Sequence, residues 1–278
     1  MLPAWLRPAP LIDEPTRRWM LDVYEWALKS FDGTFFARHT PLVTPTDRDF
    51  PGRARAGHER AVLVLDHVCR HAGLAHWPVT LQDPVGTSQP SLVATTGTFT
   101  QQPGGVRRIP TPPPARLDYA PGQVTNPEAL IGSLARALAD LVARTATTTP
   151  PGGAENWRQM TEVLAVFMGF GIIMANSAYE SPRLGCGACR VPGAERAADL
   201  SRYDLTYALA IFCVLKQIRP GAATTHLKSP LRGHLRKAVR QLRKDPDLIR
   251  LANSLSAMDH VGEPKENTTS DVDRRASG

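Results

Sequence analysis

Four groups of residues in this sequence have types and spacings that suit chemistry. Arg136 and Asp140 lie four apart in one helical run, and Glu162 lies near the start of the next. Two carboxylates and a guanidinium make a poor zinc site, because imidazole and thiolate are the ligands that select zinc. They suit an ion pair instead, one of little energetic weight if exposed and of much consequence if buried. His67 and His71 share one helix face at ligand spacing, but Val68 stands where a metal hydrolase would need its general base, so the two read as surface histidines. Cys186-Gly-Ala-Cys189 is half a zinc knuckle or a redox pair. Its other half is missing, since Cys213 falls inside an apolar helix, and the expectation is a reduced, exposed loop pair without metal. Finally, residues 228–250 hold eight Lys/Arg and two Asp, which carries six of the seven excess positive charges. Leu231, Leu235, Val239 and Leu242 form one face of a helix there, and Arg232, Arg236, Arg240 and Arg243 form the neighbouring one. Such a face can rest on nucleic acid, anionic lipid or an acidic partner, or be solvated while the leucines pack. No aromatic residue interleaves with these arginines, so base stacking is not indicated.

The elements that position these residues follow from periodicity. Residues 127–143 form a helix opened by Asn126, Pro127 and Glu128, with Leu130, Leu134, Ala137, Leu138 and Leu141 on one stripe. Residues 157–178 form a second, apolar on nearly all sides from Val163 to Ala175. That apolar run falls short of the ~20 residues a bilayer requires, so it reads as a buried core helix. Gly169 and Gly171 within it cost about 1 kcal/mol each against Ala, a cost that close approach of another backbone would explain. Further helices are expected at 16–31, 58–72 and 200–216. Strands are expected at 41–45, 79–81, 91–100 and 106–109, the last two joined by a turn at 101–105. The segments 110–123, 145–155 and 181–199 read as irregular connections.

Three stretches carry a resemblance. Leu130-Ile-Gly-Ser-Leu-Ala-Arg-Ala-Leu-Ala-Asp140 resembles the zinc helix, roughly LVATLAHELAHVLL, of a group of bacterial zincin-like proteins with an HExxH motif. Thr161-Glu-Val-Leu-Ala-Val-Phe-Met-Gly-Phe-Gly-Ile-Ile-Met-Ala-Asn-Ser177 resembles their TDLLAVFLGLGIFTANS, and Tyr203–Phe212 their FGYALALF. The resemblance runs over residues 10–245. In that family two histidines four apart bind zinc, and the Glu after the first is the general base on the zinc water. The resemblance sets those positions on Arg136, Ala137 and Asp140, and Glu162 on an acid able to serve as third ligand. Both histidines and the base are therefore replaced. It also implies a small sheet beside the central helix and a vestigial cleft near Arg136, Asp140 and Glu162.

The chain has 278 residues, 42% of them hydrophobic, enough for one sizeable core. Its 25 Pro and 21 Gly imply long irregular connections without a disordered composition. Four cysteines and an opening without a signal-peptide core set the expectation of a reducing, cytoplasmic setting. The expected organisation is a lead-in at 1–14, one α+β, helix-rich, zincin-like domain at 15–250, and a polar, disordered tail at 251–278, with no transmembrane segment. The expected function is that of a catalytically inactive metallopeptidase-like protein that binds something, with no cofactor. The open alternatives are a hydrolase with a relocated site and a basic-surface module for nucleic acid or anionic membrane. Candidate partners are a protein or peptide in the vestigial cleft and an anionic partner at the basic helix.

Overall fold

A computed structural model describes residues 10–54, 57–84, 107–180 and 199–261. Helix α1 (Glu14–Ser30) starts where Asp13 accepts the Thr16 N–H, and α2 (Gly33–His39) where Asp32 accepts that of Phe35. After α3 (Gly57–His71), strand β1 (Val79–Leu81) pairs in parallel with β2 (Ala115–Leu117), Val79 opposite Ala115. A 3-10 turn at Pro121–Thr125 leads into α4 (Pro127–Arg144), capped by Asn126. Then come α5 (Trp157–Ala165), a π-helical turn (Val166–Phe170) and α6 (Gly171–Glu180), which run on as one long helix. The C-terminal part is α7 (Arg202–Leu215), α8 (Pro220–Thr224), α9 (Ser229–Leu242) and α10 (Pro246–Val261). The result is a mostly helical domain with a small, open two-stranded sheet beside the helical core.

The long α5–π–α6 helix is the centre of that core. Every residue from Met160 to Ala175 is buried, and α4 and α7 pack along it. Counting its polar first turns, Trp157–Ala178 is 22 residues long and, by length and composition, apolar enough to cross a membrane, which the shorter apolar run had not suggested. In this fold 94% of its most apolar window is buried against other elements, as in a core helix. Gly169 explains the π turn. Its φ is +104°, and a Cβ there would stand 2.3 Å from the Pro41 carbonyl oxygen. The Val43 N–H donates to the Gly169 carbonyl at 3.0 Å. The close backbone approach expected of this glycine is thus made by residues 40–43. They run alongside the core helix as extended coil, without the ladder a strand would need.

Arg107 is the second organising residue, and its side chain is only 1% exposed. Its Nη1 donates to the Phe31 carbonyl at 2.9 Å, Nε to that of Ala72 at 3.2 Å, and Nη2 to Thr40 Oγ1 at 3.2 Å. These acceptors lie at the C-terminal ends of α1, α3 and α2, where orphan carbonyls and the helix dipole favour a cation. The guanidinium also lies 4.5 Å from the Phe35 ring centroid and 5.8 Å from that of Phe167. Burial pushes its pKa down to about 10, which still leaves it charged at neutral pH. Residues 107–109 are therefore not the strand that β-propensity suggested. The backbone is committed to placing a side chain in the core, and sheet pairing passes to Ala115–Leu117. The expected strand at 91–100 and turn at 101–105 lie outside the described residues.

Other expectations are adjusted by packing. His67 is buried rather than on the surface, because the 49–51 segment folds over α3. His67 Nε2 donates to the Pro51 carbonyl at 2.8 Å, His71 Nε2 to that of Asp49 at 2.6 Å, and Phe50 lies edge-on to both rings. The 145–155 connection is held by α1: Trp19 Nε1 donates to Pro151 O at 3.0 Å and Trp26 Nε1 to Thr148 O at 3.1 Å. The boundary at 250 falls inside α10, whose Leu248, Leu251 and Leu255 are buried; residues 262–278 lie outside the described residues. Buried Arg17 fixes the start of α10 to α1 through Asp245 at 2.7 Å and Asp247 at 2.9 Å.

Two substitutions test this core. Gly169→Ala sets a side chain against the Pro41 carbonyl at a φ that L-residues avoid, and should cost about 3 kcal/mol or more. Arg107→Met should cost at least about 2 kcal/mol by stranding buried carbonyls. Urea unfolding measures both, and a loss under about 0.5 kcal/mol in either, typical of a surface change, would contradict the assigned role.

Candidate functional site

The helix α4 sets Arg136 and Asp140 on one side, as their spacing requires, but they do not pair. Asp140 accepts two bonds from Arg144, at 2.8 and 3.2 Å, and one from Trp157 Nε1 at 2.6 Å. Arg144 also lies 5.5 Å from the Trp157 ring. Asp140 thereby ties the end of α4 to the first residue of α5.

Arg136 turns instead to Glu162. Its Nη1 lies 3.4 Å from Glu162 Oε1, with the arginine side chain 29% exposed and the glutamate 0%. Glu162 accepts two further bonds, from the backbone N–H of Asp199 at 2.9 Å and of Leu200 at 2.8 Å. Burial pushes its carboxyl above the usual carboxylate range, while the two N–H donors and Arg136 pull the other way. The two backbone donors belong to the chain just before Ser201, the cap of α7. Ser201 Oγ accepts the Asp204 N–H at 3.2 Å, and Asp204 accepts that of Ser201 at 3.1 Å. A carboxylate in this state is occupied as an acceptor and charge-compensated. Ala137 beside it offers no base and packs against the core.

Asn176 repeats the pattern one helix on. Its amide donates to Glu128 at 3.2 Å and to the His226 carbonyl at 3.0 Å, and its Oδ1 accepts the Lys228 N–H at 3.0 Å, at the cap of α9. Polar side chains on the central helices thus fix the starts of α5, α7 and α9 in turn. Nothing in the local sequence marks Asn176 or Arg107 for such roles, since their partners are carbonyls and amides distant along the chain.

The remaining candidates fall apart in space. Among the described residues, no group of three or more His, Cys, Asp or Glu is placed to hold a metal ion. Cys186 and Cys189 lie outside the described residues; Cys69 and Cys213 are free and buried. A surface groove of about 480 Å³ runs between α1 and α10, lined among others by Arg18, Asp22, Glu25, Asp247 and Arg250. A smaller one lies by Lys216 and Leu255, and neither groove is lined by Arg136, Asp140 or Glu162. On α9 the leucines and Val239 are buried, while Arg232, Arg236, Arg240 and Arg243 are exposed.

Removing Arg136 should raise the Glu162 pKa further, and the sign of its pH dependence follows. The protonated acid needs no counter-charge, so Arg136→Ala should cost about 1–2 kcal/mol at pH 7 and progressively less as pH falls toward 5. Urea titrations at several pH values measure this; a cost independent of pH would contradict the pairing.

Compared with known proteins, the chain matches no family model, no curated protein and no solved structure.

Proposed function

We propose that this protein is a metallopeptidase-like scaffold without catalytic function, which acts by binding a partner. The observation that carries the proposal is the occupation of Glu162. The acid that the sequence resemblance puts in reach of a zinc ion is fully buried, accepts two backbone N–H groups and faces Arg136 at 3.4 Å. Arg136 cannot coordinate a cation, because its guanidinium stays protonated and has no acceptor. Asp140 is engaged with Arg144 and Trp157, and Ala137 cannot activate water. A zinc ion at this place would have to break the ties that start α5 and α7. The polar residues of the resembled site serve in this reading as joints between helices.

The test is calorimetric titration of the purified chain with Zn²⁺, beside a peptidase assay with and without chelator. The expected result is no stoichiometric binding at the α4 positions and no chelator-sensitive cleavage. Tight one-to-one binding lost on Asp140→Ala, with chelator-sensitive cleavage, would overturn the proposal. Arg136→His, Ala137→Glu and Asp140→His together write the HExxH pattern into α4, and on this reading the variant is expected to gain Zn²⁺ binding with Glu162 as third ligand.

A further inference from the structure

The folded chain places an aromatic residue beside the basic helix, where the sequence of that helix has none. Tyr203 stands in the first turn of α7 and is 39% exposed, one of two large hydrophobic side chains exposed on the described surface. Its ring centroid is 5.1 Å from that of His234 on α9, and the Arg202 guanidinium lies 5.0 Å from it. Asp204, the nearby acid, is engaged in the cap of α7.

The adjoining surface is strongly cationic. Helix α9, Ser229–Leu242, contains no Asp or Glu. Arg232, Arg236, Lys237, Arg240, Arg243 and Lys244 are all exposed, and among the described residues none of them pairs with a carboxylate. Eight helical steps from Arg232 to Arg240 cover about 12 Å along α9, and Arg243 and Lys244 follow just past its end. Gly233 follows Arg232 at the start of this strip, and a Cβ there would meet nothing within 4 Å. A glycine inside an exposed helix costs about 1 kcal/mol, and no internal contact here requires it. It leaves a notch between Arg232, Arg236 and Lys237 through which a phosphate can approach the helix backbone.

The apolar side of α9 is already buried in the domain, so no apolar face is left to enter a lipid interface. Arginines that chelate phosphate oxygens and an exposed ring at the edge of the cationic strip together match a single nucleic-acid strand. The phosphates would run along α9 and an unpaired base would stack on Tyr203. We propose that the α7–α9 face binds single-stranded nucleic acid in this way, independently of what became of the zinc positions on α4.

Fluorescence anisotropy of the full chain with a labelled 15-nucleotide single strand of mixed sequence tests this directly. With about four phosphates neutralised, affinity should fall about fifty-fold between 50 and 200 mM salt. Arg236→Gln, Arg240→Gln and Arg243→Gln together should remove most of that salt dependence while circular dichroism stays unchanged. Tyr203→Ala should weaken binding of the single strand about tenfold, Tyr203→Phe should restore it, and neither should alter binding to a duplex of the same sequence. No binding at 50 mM salt would overturn the proposal, as would equal binding by the arginine variant. So would tighter binding to phosphatidylserine vesicles, or the same loss on single strand and duplex with Tyr203→Ala.

Discussion

A guanidinium shut away from water must find its partners inside the fold, and Arg107 finds them at the C-terminal ends of three helices. This single requirement orders much of the N-terminal half. It fixes where α1 ends, how α2 turns into the extended segment at 40–43, and where the chain after α3 must lie. That segment in turn is the one that meets the core helix at Gly169. The π turn, the positive φ of Gly169 and the stacking of Phe36 on Phe167 at 4.4 Å therefore form one packed unit around the cation. Lys216 repeats the device at smaller scale, donating to the Phe36 and Ala37 carbonyls at 2.6 and 2.5 Å near the end of α2.

The C-terminal half is organised by acceptors and amides instead. Asp140, Glu162 and Asn176 each reach from a central helix to the beginning of another. Such ties are costly to break, because a buried acceptor without its donor loses water and gains nothing. This bears on function. A site whose polar groups move protons or hold metals needs free lone pairs facing a ligand, whereas here they are spent on the helix starts. Our reading of a binding scaffold rests on that use of the residues.

The longer helices up to α9 were legible in the sequence because their signals are local, whereas the short α2 and α8 and the extension of α10 past residue 250 were not. The apolar stripe and cap of α4, the all-round apolar run after Trp157 and the divided faces of α9 each declare an element within a few turns. The expectation that Gly169 admits another backbone could also be formed from the cost of glycine in a helix. The second strand was not legible, since residues 115–117 follow a proline-rich run and their partner, β1, lies more than thirty residues earlier in the chain. Nor was the burial of His67, which depends on a loop folding back from residues 49–51. At the candidate site the residue types were readable, but the partners were not. The i, i+4 pairing of Arg136 with Asp140 lost to Arg144, equally spaced on the same helix and next to Trp157. The aromatic at the basic face lies some thirty residues from it in sequence, so only the packing of α7 on α9 reveals it.

The claim at the centre of this account is that Glu162 is a structural charge. Carboxyl-carbon NMR of Glu162, followed through a pH titration with and without one equivalent of Zn²⁺, tests it most directly. A structural carboxyl held as described titrates above the ordinary glutamate range, and its curve is the same with zinc present. A curve that zinc displaces to lower pH, and that a chelator restores, would show a metal ligand and contradict the account.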